Sequence, residues 1–195
     1  MSWDYMLGKS GAEASLRGLQ NKRVGESFED LIADSLLWYE MKGAAVITKT
    51  PEPMRPIKRL AGGKFVAIFE KKAEPDFKGT LAGGRSVVFE AKHTDSDRIE
   101  QSRLTSEQAA KLEMYHSMGA TAFVLVSFGL RDFYRIPWEV WRDMVGQYGH
   151  KHMKQPECEP YRVRFKGGVL KMLEGGLDSA EWTGLADWNE EGLIP

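Results

Sequence analysis

The stretch Pro75-Asp76-Phe77-Lys78-Gly79-Thr80-Leu81-Ala82-Gly83-Gly84-Arg85-Ser86-Val87-Val88-Phe89-Glu90-Ala91-Lys92 constrains this chain more than any other. Asp76 sits at a turn, Gly79, Gly83 and Gly84 loosen the segment after it, and an apolar strand from Arg85 to Lys92 then carries two charges near its end. Side chains alternate faces along a strand, so Val87, Phe89 and Ala91 point one way while Val88, Glu90 and Lys92 point the other. If the hairpin folds back, Asp76, 14 residues before Glu90, lies beside it.

Composition sets the frame for that stretch. A chain of 195 residues suits one sizeable core, since domains run to roughly 100–200 residues. The expected organisation is a flexible arm over 1–20, a domain over 21–173 and an acidic tail over 174–195. No apolar run is longer than the five residues of Ala122 to Val126, far below the roughly 18 residues of a membrane-spanning helix, and no signal-like core opens the chain. A cytoplasmic protein without membrane contact is expected. Cys158 is the one cysteine, which rules out an internal disulfide and a thiolate metal cluster. Net charge is -1, but all 27 Lys and Arg fall within the first 171 residues and six of the 28 acidic residues follow, leaving that body at +5. A mildly basic body suits a nucleic-acid partner.

Phe28, Leu31, Ile32, Leu36 and Tyr39 recur at helical spacing between Gly25 and Gly43, and Ala44 to Thr48 reads as a short strand. Pro51, Pro53 and Pro56 then exclude regular helix and central strand. The excursion they open holds seven basic residues, Lys49, Arg55, Lys58, Arg59, Lys64, Lys71 and Lys72, against Glu52 and Glu70. A basic projection is a candidate contact for a DNA backbone, because phosphate neutralisation dominates nucleic-acid affinity. Lys64 to Glu70 reads as a strand leading to Asp76, so that it and Arg85–Lys92 flank the candidate site. Thr94 to Arg103 reads as loop. Thr105 opens a helix with Gln108 at capping-box spacing, ending near Gly119. Ala120 to Phe128 is the most apolar strand, Asp132 to Ile136 pairs beside it, and Pro137 starts a helix bearing Val140, Trp141 and Met144. Gly149 to Pro160 reads as loop, followed by a short strand over Tyr161–Phe165 and a short apolar element over Val169–Leu173.

Phosphodiester hydrolysis needs an activated water, neutralised phosphoryl oxygens and a stabilised leaving group. Mg2+ prefers oxygen ligands and keeps several waters, so Asp76, Glu90 and the Ala91 carbonyl would suffice to hold it, with Mn2+ as the substitute ion. Lys92, a compact charge with three donors, suits the nucleophile or the transition state. Glu-x-Lys on an exposed strand is equally the mark of a plain charged face. His150-x-His152 lies in a polar stretch without a carboxylate pattern, which favours an exposed role over a metal site. His93, on the face opposite Lys92, is either a phosphate contact or a packed histidine.

Glu90-Ala91-Lys92 with the upstream Pro75-Asp76 resembles the PD-(D/E)xK nuclease superfamily. A longer match over Gly25 to Ile32, Ala44 to Pro53, Lys64 to Asp76, Val88 to Lys92 and Leu104 to Phe128 narrows the likeness to RecU-type Holliday junction resolvases. The resemblance implies an α/β fold with a restriction-endonuclease-like mixed central sheet flanked by helices and a projecting basic stalk over about 51–72. It implies Asp76 and Glu90 as metal ligands, Lys92 as the catalytic lysine, Glu29 as a further carboxylate near the metal, and Gln108 in support. Since Thr105 and Gln108 also form a capping box, the glutamine is expected to serve catalysis at the expense of the cap. The implied activity is Mg2+-dependent resolution of four-way DNA junctions by a homodimer through paired symmetric nicks. The stalk looks shorter than the family's, which keeps open another endonuclease acting on duplex, flap or fork DNA, or a non-cleaving DNA-binding protein on the same fold.

Overall fold

The computed structural model describes residues 27–69 and 74–174. The expected arm, most of the acidic tail, and Lys71 and Lys72 lie outside those residues. Helix α1 covers residues 27–41 and turns Phe28, Ile32, Leu36 and Tyr39 into the core, at the spacing that puts every third or fourth residue on one face. Gly43, in the left-handed region at φ 66°, ends it.

Strand β1 (Ala45–Lys49) follows, and then β2 (Met54–Arg59) and β3 (Phe65–Phe69) form a separate two-stranded antiparallel hairpin in which every residue is exposed. Here the structure departs from the expected pairing around the site. Lys64–Glu70 does not flank it; the partner of β5 (Ser86–Thr94) is instead β4 (Phe77–Leu81), inside the stretch read as a glycine-loosened turn. Gly79 explains both the misreading and the strand. A Cβ there would stand 2.0 Å from the Val46 carbonyl oxygen and 2.5 Å from the Ile47 Cα, so β1 reaches its register with β4 only against a bare glycine.

The chain continues through β6 (Arg98–Glu100), α2 (Ser106–Ser117), β7 (Thr121–Phe128), β8 (Asp132–Pro137), α3 (Trp138–Arg142) and α4 (Met144–Tyr148). After these come β9 (His152–Lys154), α5 (Gln155–Cys158), β10 (Arg162–Val163), β11 (Phe165–Lys166) and β12 (Val169–Leu170). Both segments read as loop are therefore structured: β6 pairs antiparallel with β9, placing the fully buried Ile99 opposite the fully buried Met153. The helix expected after Pro137 is two short ones that meet at Asp143.

The central sheet has six strands in the order β1-β4-β5-β7-β8-β10, antiparallel at every junction except β5–β7, whose parallel strands are connected through α2. This is the mixed sheet flanked by helices that the resemblance implies. On the α1 face, Phe77, Phe89 and Phe123 stack across three neighbouring strands with ring centroids 4.7 Å apart at each step. The C-terminal segment closes that face: Ser35 Oγ accepts the Leu170 N–H at 2.9 Å, Tyr39 Oη accepts the Leu173 N–H at 3.1 Å, and Leu170, Met172 and Leu173 are fully buried. The other face packs Val88, Leu112, Val124, Ile136, Trp141, Met144 and Met153. The alternation along β5 holds, with Val87 and Phe89 on one core and Val88 on the other. Glu90 is the next residue on the α2 face. No helix among the described residues is long and apolar enough to cross a membrane.

Candidate active site

Strand β4 begins at Phe77, opposite Phe89, while β5 runs on to Thr94 against β7. Among the described residues no strand pairs with β5 beyond Phe89 on its β4 side, and Asp76 stands at the entry to β4, facing that edge. Asp76 Oδ2 accepts the Ala91 N–H at 3.2 Å. In a strand, the N–H and C=O of one residue face the same side, which turns the Ala91 carbonyl toward Asp76 as well. Asp76 is fixed from behind by its own carbonyl, which accepts the Thr50 N–H at 2.8 Å at the end of β1.

Glu90 is 0 % exposed, and a charge so placed needs partners. Its Oε2 accepts from Lys92 Nζ and from Gln108 Nε2, both at 2.8 Å, while Lys92 Nζ stands 3.7 Å from Asp76 Oδ2. Its Oε1 is buried and makes no hydrogen bond among the described residues. Burial first, and the neighbouring Asp76 carboxyl second, push the Glu90 carboxyl up to about 7 against the opposing pull of the Lys92 ammonium.

Gln108 does what the capping-box reading held incompatible. Its Oε1 accepts the Thr105 N–H at 3.1 Å, completing the cap of α2, while its Nε2 reaches Glu90. The two ends of an amide are an acceptor and a donor, so cap and site each take the end they need.

Glu29 and Asp76 line one cleft of about 530 Å3 together with Phe28, Ala91, Lys92, His93, Thr94, Asp95 and Arg103. The Glu29 carboxylate is paired there with Lys49, which ties one of the seven basic residues to the site instead of the projection. Arg55, Lys58, Arg59 and Lys64 lie on or beside the exposed β2–β3 hairpin, with Arg59 stacked over the Phe65 ring. His93 is packed: Nδ1 lies 3.2 Å from Ser127 Oγ, Nε2 lies 3.1 Å from Asp95 Oδ1, and its ring stands beside Phe28. Asp95 and Arg103 escaped the sequence reading because they belong to the segment read as loop. His150 and His152 do have a carboxylate nearby, Glu157 at 3.3 Å from His150 Nε2, but their rings stack on each other at 3.9 Å. Among the described residues no group of three or more His, Cys, Asp and Glu is arranged to hold a metal.

The donor set at Asp76 and Glu90 fits a hard divalent cation. Two carboxylates and a backbone carbonyl are oxygen ligands, and the unpartnered Glu90 Oε1 is a buried acceptor that a cation would satisfy.

Residues 23–173 match the family model of RecU, Recombination protein U. The chain belongs to the RecU family. It is 31% identical over 137 residues to the Holliday junction resolvase RecU of Streptococcus sanguinis, an overlap of 66% of this chain and 68% of that one. Against the Streptococcus pneumoniae (strain Taiwan19F-14) Holliday junction resolvase RecU the identity is 25% over 182 residues, 89% and 91% of the two chains. The solved structure of Archaeoglobus fulgidus Hjc, a Holliday junction resolvase, overlaps 66% of this RecU-family chain and 89% of its own, at 12% identity and a TM-score of 0.42.

Proposed function

We propose that this chain is a Mg2+-dependent DNA endonuclease that resolves four-way junctions by paired symmetric nicks, working as a homodimer in the cytoplasm. One observation carries the reading: a fully buried Glu90 carboxylate, gripped by Lys92 and Gln108 with one oxygen left over, at the open strand edge where Asp76 meets the Ala91 backbone. Selection for stability alone would not favour a buried carboxylate with an unsatisfied oxygen.

Asp76, Glu90 and the Ala91 carbonyl would hold the cation, with Mn2+ able to replace Mg2+. When bound, it supplies a water of lowered pKa and charge neutralisation on the phosphoryl oxygens. Lys92 contributes an ammonium between the two carboxylates, with donors to spare for the attacking water or a phosphoryl oxygen. Gln108 holds the Glu90 carboxylate in one rotamer, anchored in turn by the helix cap. Glu29 is placed at the rim of the same cleft, its charge held by Lys49 until substrate or cation competes for it.

The junction preference draws on the relatives' names and on the β2–β3 hairpin. That hairpin carries Arg55, Lys58 and Arg59 and also exposes Met54, Ile57, Phe65 and Phe69, between 55% and 70%. Apolar side chains in such density on a protruding element support cover by a second copy, in keeping with a two-fold enzyme on a two-fold substrate.

Purified protein is tested on four-way, Y-form and linear duplex DNA, with Mg2+ or EDTA. Paired, metal-dependent nicks on the four-way junction that vanish in Asp76→Ala support the proposal. Equal cutting of duplex or Y-form DNA moves the assignment to another endonuclease, binding without cutting makes the chain a DNA-binding protein on this fold, and undiminished cleavage by Asp76→Ala refutes the site.

A further inference from the structure

Behind Arg103, which lines the cleft, stands a wall made from the two segments that the sequence pattern leaves featureless. Strand β6 pairs with β9, the Gln101 N–H donates to the Lys151 carbonyl at 2.9 Å, and the Gln155 N–H donates to the Asp97 carbonyl at 2.9 Å. Gln101 Nε2 adds a bond to the Trp141 carbonyl at 2.8 Å, and Leu104 is buried. Residues 97–104 are thus fastened to α3 and β9 and cannot drift from the site as a free loop would.

Arg103 projects from this wall. Its Nη2 donates to the His93 carbonyl on β5 at 3.1 Å, and it lines the cleft with Asp76 and Lys92. Among the described residues no carboxylate lies within ion-pair distance of it, whereas Arg98, Arg142 and Arg164 each have one and Arg162 has two, at 2.6–2.9 Å. A guanidinium offers five N–H donors and stays charged at any working pH, so one bond to His93 fixes its position and leaves a cationic fork directed at whatever enters the cleft. The anion that matches such a fork is a phosphodiester.

We propose that Arg103 grips a backbone phosphate of the DNA strand lying in the cleft, next to the scissile phosphate that a cation at Asp76 and Glu90 would position. This rests on the nuclease reading of the cleft. It places a DNA contact about 30 residues beyond the basic excursion, on a separate element. Because the contact is to backbone at the reacting centre, it serves linear and branched DNA alike, unlike a contact from the hairpin.

The test is equilibrium binding of a labelled four-way junction and a labelled linear duplex in EDTA, across salt from about 50 to about 200 mM. Wild type, Arg103→Gln and Arg103→Lys are compared, with melting temperatures measured alongside. Arg103→Gln is expected to lower the log–log salt slope by about 1 on both DNAs, the signature of one lost phosphate contact. Arg103→Lys restores the slope but leaves junction cleavage in Mg2+ slowed by about tenfold, since a point charge does not reproduce the fork. A slope for Arg103→Gln that matches wild type overturns the proposal. So does an equal loss of slope in both variants, which would mark a disturbed wall instead of a missing charge. If wild type binds both DNAs and cuts neither, the nuclease reading fails, and the salt slopes still decide whether Arg103 meets phosphate.

Discussion

Gln108 and Glu90 are joined by a 2.8 Å bond from the amide nitrogen to the carboxylate, while the amide oxygen closes the cap of α2 on the Thr105 N–H. Helix register and carboxylate orientation are therefore set by a single side chain. A residue at the third position of a helix is held rigidly once its cap is made, so the donor it presents to β5 is pre-organised.

This coupling separates two substitutions. Gln108→Glu keeps an acceptor for the Thr105 N–H but turns a second carboxylate on Glu90; Gln108→Ala removes both bonds. The expected result is that Gln108→Ala loses about 1–2 kcal/mol of stability, while Gln108→Glu keeps the cap but loses cleavage at least as completely. Thermal melts and single-turnover cleavage of the two variants check it. Full activity in Gln108→Glu would mean that the bond to Glu90 has no part in the reaction.

Glu90 ties function to a stability cost with a definite sign. Its carboxyl is raised to about 7 by burial and by Asp76, so between the ordinary glutamate range near about 4.5 and about 7 the folded protein binds more protons than the unfolded chain. Stability then falls as pH rises through that window. In EDTA, wild type is expected to melt lower at pH about 8 than at pH about 5.5 relative to Glu90→Gln, which has no proton to lose there. Adding Mg2+ or Mn2+ at the higher pH should raise the wild-type melting temperature and leave Glu90→Gln unmoved, because only a ligand bound by the folded state stabilises it. Parallel melting curves for the two proteins at both pH values would contradict this account.

Gly79 is where fold and site meet. Any side chain there must displace β1, since a Cβ would lie 2.0 Å from the Val46 carbonyl oxygen. Asp76 is held by the backbone bond from Thr50 at the end of the same strand pair, so the strain is transmitted toward the carboxylates. Gly79→Ala is expected to cost about 3 kcal/mol and to weaken Mn2+ binding by the refolded protein. Calorimetry and metal titration read the two effects; a melting temperature equal to wild type would show that β1 yields without cost.

The parts of this chain that were legible share a physical cause. The alternation of β5, the helical spacing of α1 and the apolar run of β7 are long enough for burial to impose a period, and Glu90 and Lys92 lie side by side because period two fixes which charges of one strand share a face. β4 was hidden because Gly79 sits at its centre for a tertiary reason, the approach of β1, that no local pattern encodes. β6 and β9 are three residues each and bury one side chain apiece, Ile99 and Met153, too little to make a period. The wall that carries Arg103 was invisible on that account. The competition seen for Gln108 dissolved once the two ends of its amide had separate partners.

The β2–β3 hairpin provides a last test, one that distinguishes binding from chemistry. Lys58 and Arg59 are exposed on a strand pair that shares no ladder with the central sheet. If they meet phosphates of the junction, Lys58→Ala combined with Arg59→Ala removes up to two contacts, and the salt slope of junction binding should fall by about 2 while that of linear duplex falls less. The central sheet does not depend on these side chains, so the melting temperature and its rise with Mg2+ should stay at wild-type values. Cleavage at saturating junction would then remain near wild type while half-saturation moves to higher DNA concentration, the pattern of binding lost equally from ground and transition states. Unchanged salt slopes on both DNAs would remove the hairpin's charges from the contact surface and leave its exposed apolar residues as its main business.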